Sequence, residues 1–451
     1  MTAAIALNRF GLGARPDDSP PADPRGWLLG QFERYEVLPA AWQALPRTPA
    51  LTQVMLARQR TLRQAAEGEK AAARQAWRRE ARETYVSAAG ARANSALQTR
   101  TPFVERLVHF WANHFAVSVD KVAILGLAGA FEADAVRPHV LGRFEDMLLA
   151  TARHPAMLLY LDQARSIGPD SPAALRAAEG QQRRRGLNEN LAREILELHT
   201  LGVRSGYTQG DVTEFARALT GWTLPAGEAD DAQPFQFRRA MHEPGSRTFL
   251  GRPYAQPGEE QARAILHEVA TAPATARHIA TKLARHFVSD DPPPALVERL
   301  SDAFVRTGGD LPSVYRELVV APEAWTASAP KFKSPWEWAI SSLRAVGRNE
   351  IAPMQLANTM NQLAQPVWRP GSPAGYDDIA AAWAAPDALV RRVEVAQRFA
   401  AQAGAGIDAR ALAPRVLPGA LNDATAAAIA RAESPTSGLA LLLVSPEFLR
   451  R

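Results

Sequence analysis

Cysteine is absent from the 451 residues. Disulfides, thiolate metal sites, iron–sulfur clusters and a cysteine nucleophile are thereby excluded, while the redox compartment stays open. Lysine is nearly absent as well. Lys70, Lys121, Lys282, Lys331 and Lys333 stand against 47 arginines. The 52 basic residues exceed the 47 acidic ones by only 5, so the arginine bias does not mark a nucleic-acid binder. No apolar run reaches the ~20 residues of a membrane-spanning helix; the longest is Val122–Phe131. The N-terminal residues lack the basic start and apolar stretch of a signal peptide, so a cytoplasmic protein without membrane attachment is expected. No GxSxG elbow, phosphate loop or HExxH pair occurs. Asn8–Gly13 has glycines but no preceding strand, so it is not a nucleotide fingerprint. Neither a metal nor a cofactor is expected.

What remains is ordinary globular material, 47% hydrophobic and 22% charged. Alanine-rich amphipathic stretches punctuated by 34 prolines predict a mainly α protein, a large multi-helix array with at most one short β-hairpin near 235–251. The expected organisation is an N-terminal helical part, 1–100, carrying one long charged helix over 50–98, followed by a main helical domain, 101–451. Ser334-Pro335-Trp336-Glu337 and Thr208 with Asp211 read as capping boxes, and Thr101 and Asp310 as further helix caps.

Three helical stripes could carry chemistry. On 187–201, Leu187, Leu191, Ile195, Leu198 and Leu201 form an apolar arc, with Asn190, Glu194 and Glu197 along its edge. Glu194 falls inside the arc, where a carboxylate needs an arginine, a hydrogen-bond donor or a raised pKa. It is a candidate general acid or base with Glu197; the alternative is a structural ion pair, helped by Glu189–Arg193 and Arg193–Glu197 at i, i+4. His199 lies on the other edge. On 103–115, His114 sits amid the apolar face and His109 opposite, beside Glu105 and Asn113. Burial would keep the His114 imidazole neutral, fit to exchange one proton. On 274–288, His278, Lys282 and Arg285 stack at i, i+4 and i+7. Like charges so placed repel, so either an anion or carboxylates from another helix must neutralise them, the Glu194/Glu197 stripe being the obvious partner. His242, in a Glu-Pro-Gly turn, is placed to reach a ligand.

These segments resemble the bacterial family built on domain of unknown function 1800. The resemblance rests on Leu7–Gly13, Leu107–Phe115, Asn188–Gly202, Ala218–Trp222, His242–Gly245, Ala276–Leu283, Lys331–Pro335, Gln365–Trp368 and Ser445–Phe448. Glu243 and Arg247 stand where Asp and Lys are expected. The resemblance implies no agreed activity. It does imply that many relatives are exported, which makes the periplasm an alternative location, and that a second, sulfatase-like uncharacterised family is a candidate partner.

Three functions stay open. The first is a polar cleft of carboxylates, histidines and cations that binds or acts on an anionic or glycan-like ligand, as a hydrolase or transferase with Glu194 or Glu197 as acid or base. Its catalytic candidates are Glu194, Glu197 and His114, and its ligand-binding candidates are Asn190, His109, His199, His242, His278, Lys282 and Arg285. The second is a non-catalytic scaffold whose charged stripes are internal ion-pair networks. The third, nucleic-acid binding through 58–83 and 183–185, ranks last because acids interleave those arginines.

Overall fold

The computed structural model describes residues 2–179, 186–225, 233–326, 331–404 and 406–451. Helices dominate, as expected, and a continuous set of buried side chains runs from Ile5 to Leu449. The arginines at 183–185 lie outside the described residues. Among the described residues no helix is long and apolar enough to cross a membrane.

The long helix expected over 50–98 is two helices, Thr48–Gln64 and Lys70–Gln98. Ala65 turns extended (ψ 139°) and Glu67–Glu69 forms a single 3-10 turn around Gly68, the residue there with the lowest helix propensity. The chain folds back on itself, and Arg58 meets Glu80 at 2.8 Å across the hairpin. The charge of 58–83 is thus partly consumed internally.

Both capping boxes form. Asp310 caps its helix through Ser313 N, whereas Thr101 makes no side-chain cap. The hairpin expected over 235–251 is replaced by two small antiparallel sheets. Gln236–Phe237 pairs backward with Trp222–Thr223, and Arg247–Phe249 pairs forward with Arg252–Tyr254. The second turn is Leu250-Gly251, both at positive φ (47° and 75°), the backbone that two-residue hairpins require. Pro244-Gly245, read from sequence as the turn, lies ahead of it.

Three elements position the candidate site: the Pro102–His114 helix, the Pro273–Phe287 helix and the Pro335–Ala345 helix. Each begins with proline in its first turn, where a missing N–H costs nothing. Phe103, Leu107 and Trp111 of the first helix and Ile279, Leu283 and Phe287 of the second are fully buried. Phe287 stacks at 5.6 Å on Phe10, which is also in edge contact with Phe103. This apolar seam turns the remaining faces of the helices toward one shared space.

Candidate functional site

That space is a cavity of about 520 Å³, within the size range of small-molecule sites. His109, His114, Lys282 and Arg285, four of the sequence candidates, line it. Glu194, Glu197, Asn190, His199, His242 and His278 do not line it.

Lys282 is half-buried, and its Nζ makes no hydrogen bond and no ion pair among the described residues. Burial is the main force lowering its pKa to about 8; the Asp378 carboxylate opposes it, and Arg285 adds a smaller push in the same direction as burial. The other four lysines are all engaged. Lys70 meets Glu67, Lys121 meets Asp162 and two carbonyls, Lys331 meets Asp290 and Asp378, and Lys333 donates to Ser341 Oγ. Arg285 is half-buried and donates through Nε to the Asp290 carbonyl at 3.2 Å.

The protonation of the histidines follows from their partners. His114 Nε2 faces the His199 carbonyl at 3.1 Å, and a carbonyl only accepts, so Nε2 carries the proton. Burial holds His114 neutral, well below its usual range. Its Nδ1 lone pair is buried and has no hydrogen-bond partner among the described residues. His109 Nδ1 accepts from Trp336 Nε1 at 3.2 Å, and its buried Nε2 stands 3.7 Å from Glu105. His286, four residues beyond Lys282, accepts at Nε2 from Arg106 Nε (3.3 Å) and therefore donates from Nδ1 to Asp378 Oδ2 (2.6 Å).

A charge network forms part of the same cavity wall, with Arg106, His286, Glu337 and Asp378 all lining it. Glu337 meets Arg106 and Arg451, the latter at 3.0 Å, while its Oε2 still accepts from Ser334 N in the capping box. The two guanidiniums and His286 hold the Glu337 carboxyl down to about 2 against the burial that would raise it. Asp378 is held below the usual carboxylate range by His286, Arg451 and Lys331. One wall is aromatic. Arg92 lies 4.4 Å over the Trp336 ring and 2.7 Å from Glu132, which also accepts from Trp368 Nε1. That π face is already occupied by a cation.

The expected pairing of the Glu194 stripe with the cationic helix is absent. The regular helix is only Asn190–Glu194, and Ile195–His199 widens into a π-helix, so the 100° spacing behind that expectation fails midway. Asn190 is exposed at the helix start. Glu197 pairs with Arg193 at 3.6 Å. Glu194 is half-buried with its pKa raised by burial and then by Glu197, the third of the outcomes expected for it. The π-helix ends in free carbonyls, and two histidines cap them: His114 the His199 carbonyl, His278 the Leu198 carbonyl at 3.0 Å. His199 is buried behind His114 at 6.0 Å between ring centroids. His242 is not free to reach a ligand from a turn; it is buried and donates through Nδ1 to the Thr220 carbonyl at 3.0 Å.

Sequence reasoning missed Arg106, His286, Glu337 and Asp378. Glu337 had been explained by its capping role. His286 was legible as the residue at i+4 from Lys282, extending the same stripe. Nothing in the spacing pointed to Asp378, which arrives from a loop.

Among the described residues no group of three or more His, Asp or Glu side chains converges as a metal-holding set. No curated protein and no solved structure matches the chain. The family model described as protein of unknown function (DUF1800) matches residues 5–450, and the chain belongs to that family.

Proposed function

We propose that the cavity binds a small anionic ligand, with Lys282 and Arg285 as its anchors and His114 as a neutral proton acceptor beside it. The observation that carries this reading is Lys282. Among the described residues it is the lysine of the five that lines the cavity and has no hydrogen-bond acceptor. A half-buried ammonium without a hydrogen-bond acceptor is costly to hold, and an oxyanion supplies the missing hydrogen bonds and adds charge to that of the nearby Asp378 carboxylate. Glu194 and Glu197 take no part in this site, so acid–base chemistry there rests on His114, whose Nδ1 is free.

Thermal melts with sulfate, phosphate, oxalate or a hexuronate test it. At least one of these anions raises the melting temperature of the wild type, and Lys282→Met abolishes the shift. A charge-assisted hydrogen bond contributes about 1.5–3 kcal/mol, so affinity falls roughly 10- to 100-fold.

A second reading is favoured by the charge network in the cavity wall. Glu337, Asp378, Arg106, Arg451, Lys331 and His286 satisfy one another. A scaffold held by internal ion pairs predicts no anion-dependent stabilisation of the wild type, or the same shift in Lys282→Met.

A further inference from the structure

The cavity amine has a use beyond holding charge. We propose that Lys282 is an amine nucleophile that forms an imine with the carbonyl carbon of a small anionic aldehyde or 2-oxo acid held in the cavity. This inference rests on the anion-binding reading above and deepens it.

The geometry separates Lys282 from every other amine side chain in the protein. Lys331 and Lys333 are sealed, each no more than 2% exposed, and both are hydrogen-bonded. Lys70 and Lys121 reach solvent but are tied to carboxylates. Among the described residues, Lys282 is the lysine that combines access to the cavity with a nitrogen lacking a hydrogen bond or ion pair. A lysine becomes nucleophilic near neutral pH when it is desolvated, and burial is what lowers the Lys282 pKa here, against the nearby Asp378 carboxylate. The charged and titratable groups that act on it are Arg285 from its own helix and Asp378 from the facing loop. His114 and His199 feel its charge, as does His278 one turn away. All three imidazoles are held neutral by burial, so none returns a repelling charge to the amine.

The chemistry balances without a further reactant. The nitrogen lone pair forms the C–N bond while the carbonyl π electrons move to oxygen. One N–H proton passes to that oxygen, giving the carbinolamine. The second N–H proton follows as the C–O bond breaks, and the oxygen leaves as water. The free Nδ1 lone pair of His114 is the nearby base able to carry these protons. Arg285, beside the amine and lining the same cavity, is placed to hold the substrate's carboxylate.

The test uses the wild-type protein at pH 7.5, with glyoxylate or acetaldehyde and cyanoborohydride to trap imines, followed by peptide mapping of all five lysines. Lys282 is expected to become carboxymethyl-lysine about tenfold faster than Lys70 or Lys121, since a lower amine pKa leaves more free base at neutral pH. Lys331 and Lys333 stay unlabelled. Oxalate, which cannot form the imine, protects Lys282. In Arg285→Met the acetaldehyde reaction persists while the preference for glyoxylate is lost. Labelling of Lys282 no faster than that of Lys70 and Lys121 overturns the proposal. If oxalate then still stabilises the wild type but not Lys282→Met, the anion-binding reading stands without the imine. If it stabilises neither, both fall. An undiminished glyoxylate preference in Arg285→Met overturns the role given to that arginine.

Discussion

Burial separates lysine from arginine in this chain. An arginine stays charged wherever it is placed, whereas a lysine can surrender its proton. Lys333 is 1% exposed, and burial, with Arg106, Arg451 and Arg392 around it, lowers its pKa to about 7. Because the unfolded amine binds its proton more tightly, this group makes the protein more stable as pH rises from about 7 toward its unfolded value. Each unit of that difference is worth about 1.4 kcal/mol. Denaturant titrations of Lys333→Met should therefore show a flatter rise between pH 7 and 10 than the wild type, and higher stability than the wild type at pH 6. Glu337 has the opposite sign. Its folded pKa is depressed, so its contribution is complete above its unfolded value and is lost as pH falls toward 2. Glu337→Gln retains a capping acceptor but leaves Arg106, 3% exposed, without its carboxylate and Arg451, 0% exposed, with Asp378 alone at 3.5 Å. A loss of about 3–5 kcal/mol at pH 7 is expected, with a weaker acid limb in the same titrations.

At the scale of elements, periodicity succeeded wherever the helix stayed regular. The apolar faces of 102–114 and 273–287 are buried as expected, and His109, His114, Lys282 and Arg285 on those helices line the cavity. It failed at 190–199 because an α-helix that becomes a π-helix changes the angle between successive side chains, and no residue type there announces the change. Two measurements follow. Glu194→Gln should be neutral or slightly stabilising at pH 7, since burial already disfavours its charge. Combined with Lys282→Met it should add within about 0.5 kcal/mol, the behaviour of sites that do not touch; a larger coupling in a double-mutant cycle would mean that the two stripes meet. The second concerns packing of the short Ala128–Phe131 helix on Lys70–Gln98. A Cβ on Gly129 would fall 2.3 Å from the Ala88 Cβ. Gly129→Ala should cost about 1–3 kcal/mol through displacement of the two helices, although alanine is the better helix former.

For the whole molecule, composition and punctuation carried the fold class, because alanine, proline and capping residues act locally. The site was only half legible. Its walls come from segments far apart in sequence, near residues 106, 285, 337 and 378, and long-range convergence leaves no mark in spacing. Glu337 has a plain local signal that its capping role already accounts for, and His286 follows Lys282 at i+4 on the same stripe. The central claim is that Lys282 is the charge on which an anion in this cavity depends. Calorimetric titration with oxalate, whose charge is constant across the range, at pH 7 and pH 9.5 tests it most directly. With the Lys282 pKa lowered to about 8, the wild type should bind more weakly at pH 9.5 by about tenfold or more, and Lys282→Met should bind weakly at both. Oxalate affinity that is the same at the two pH values, or unchanged in Lys282→Met, would contradict the account.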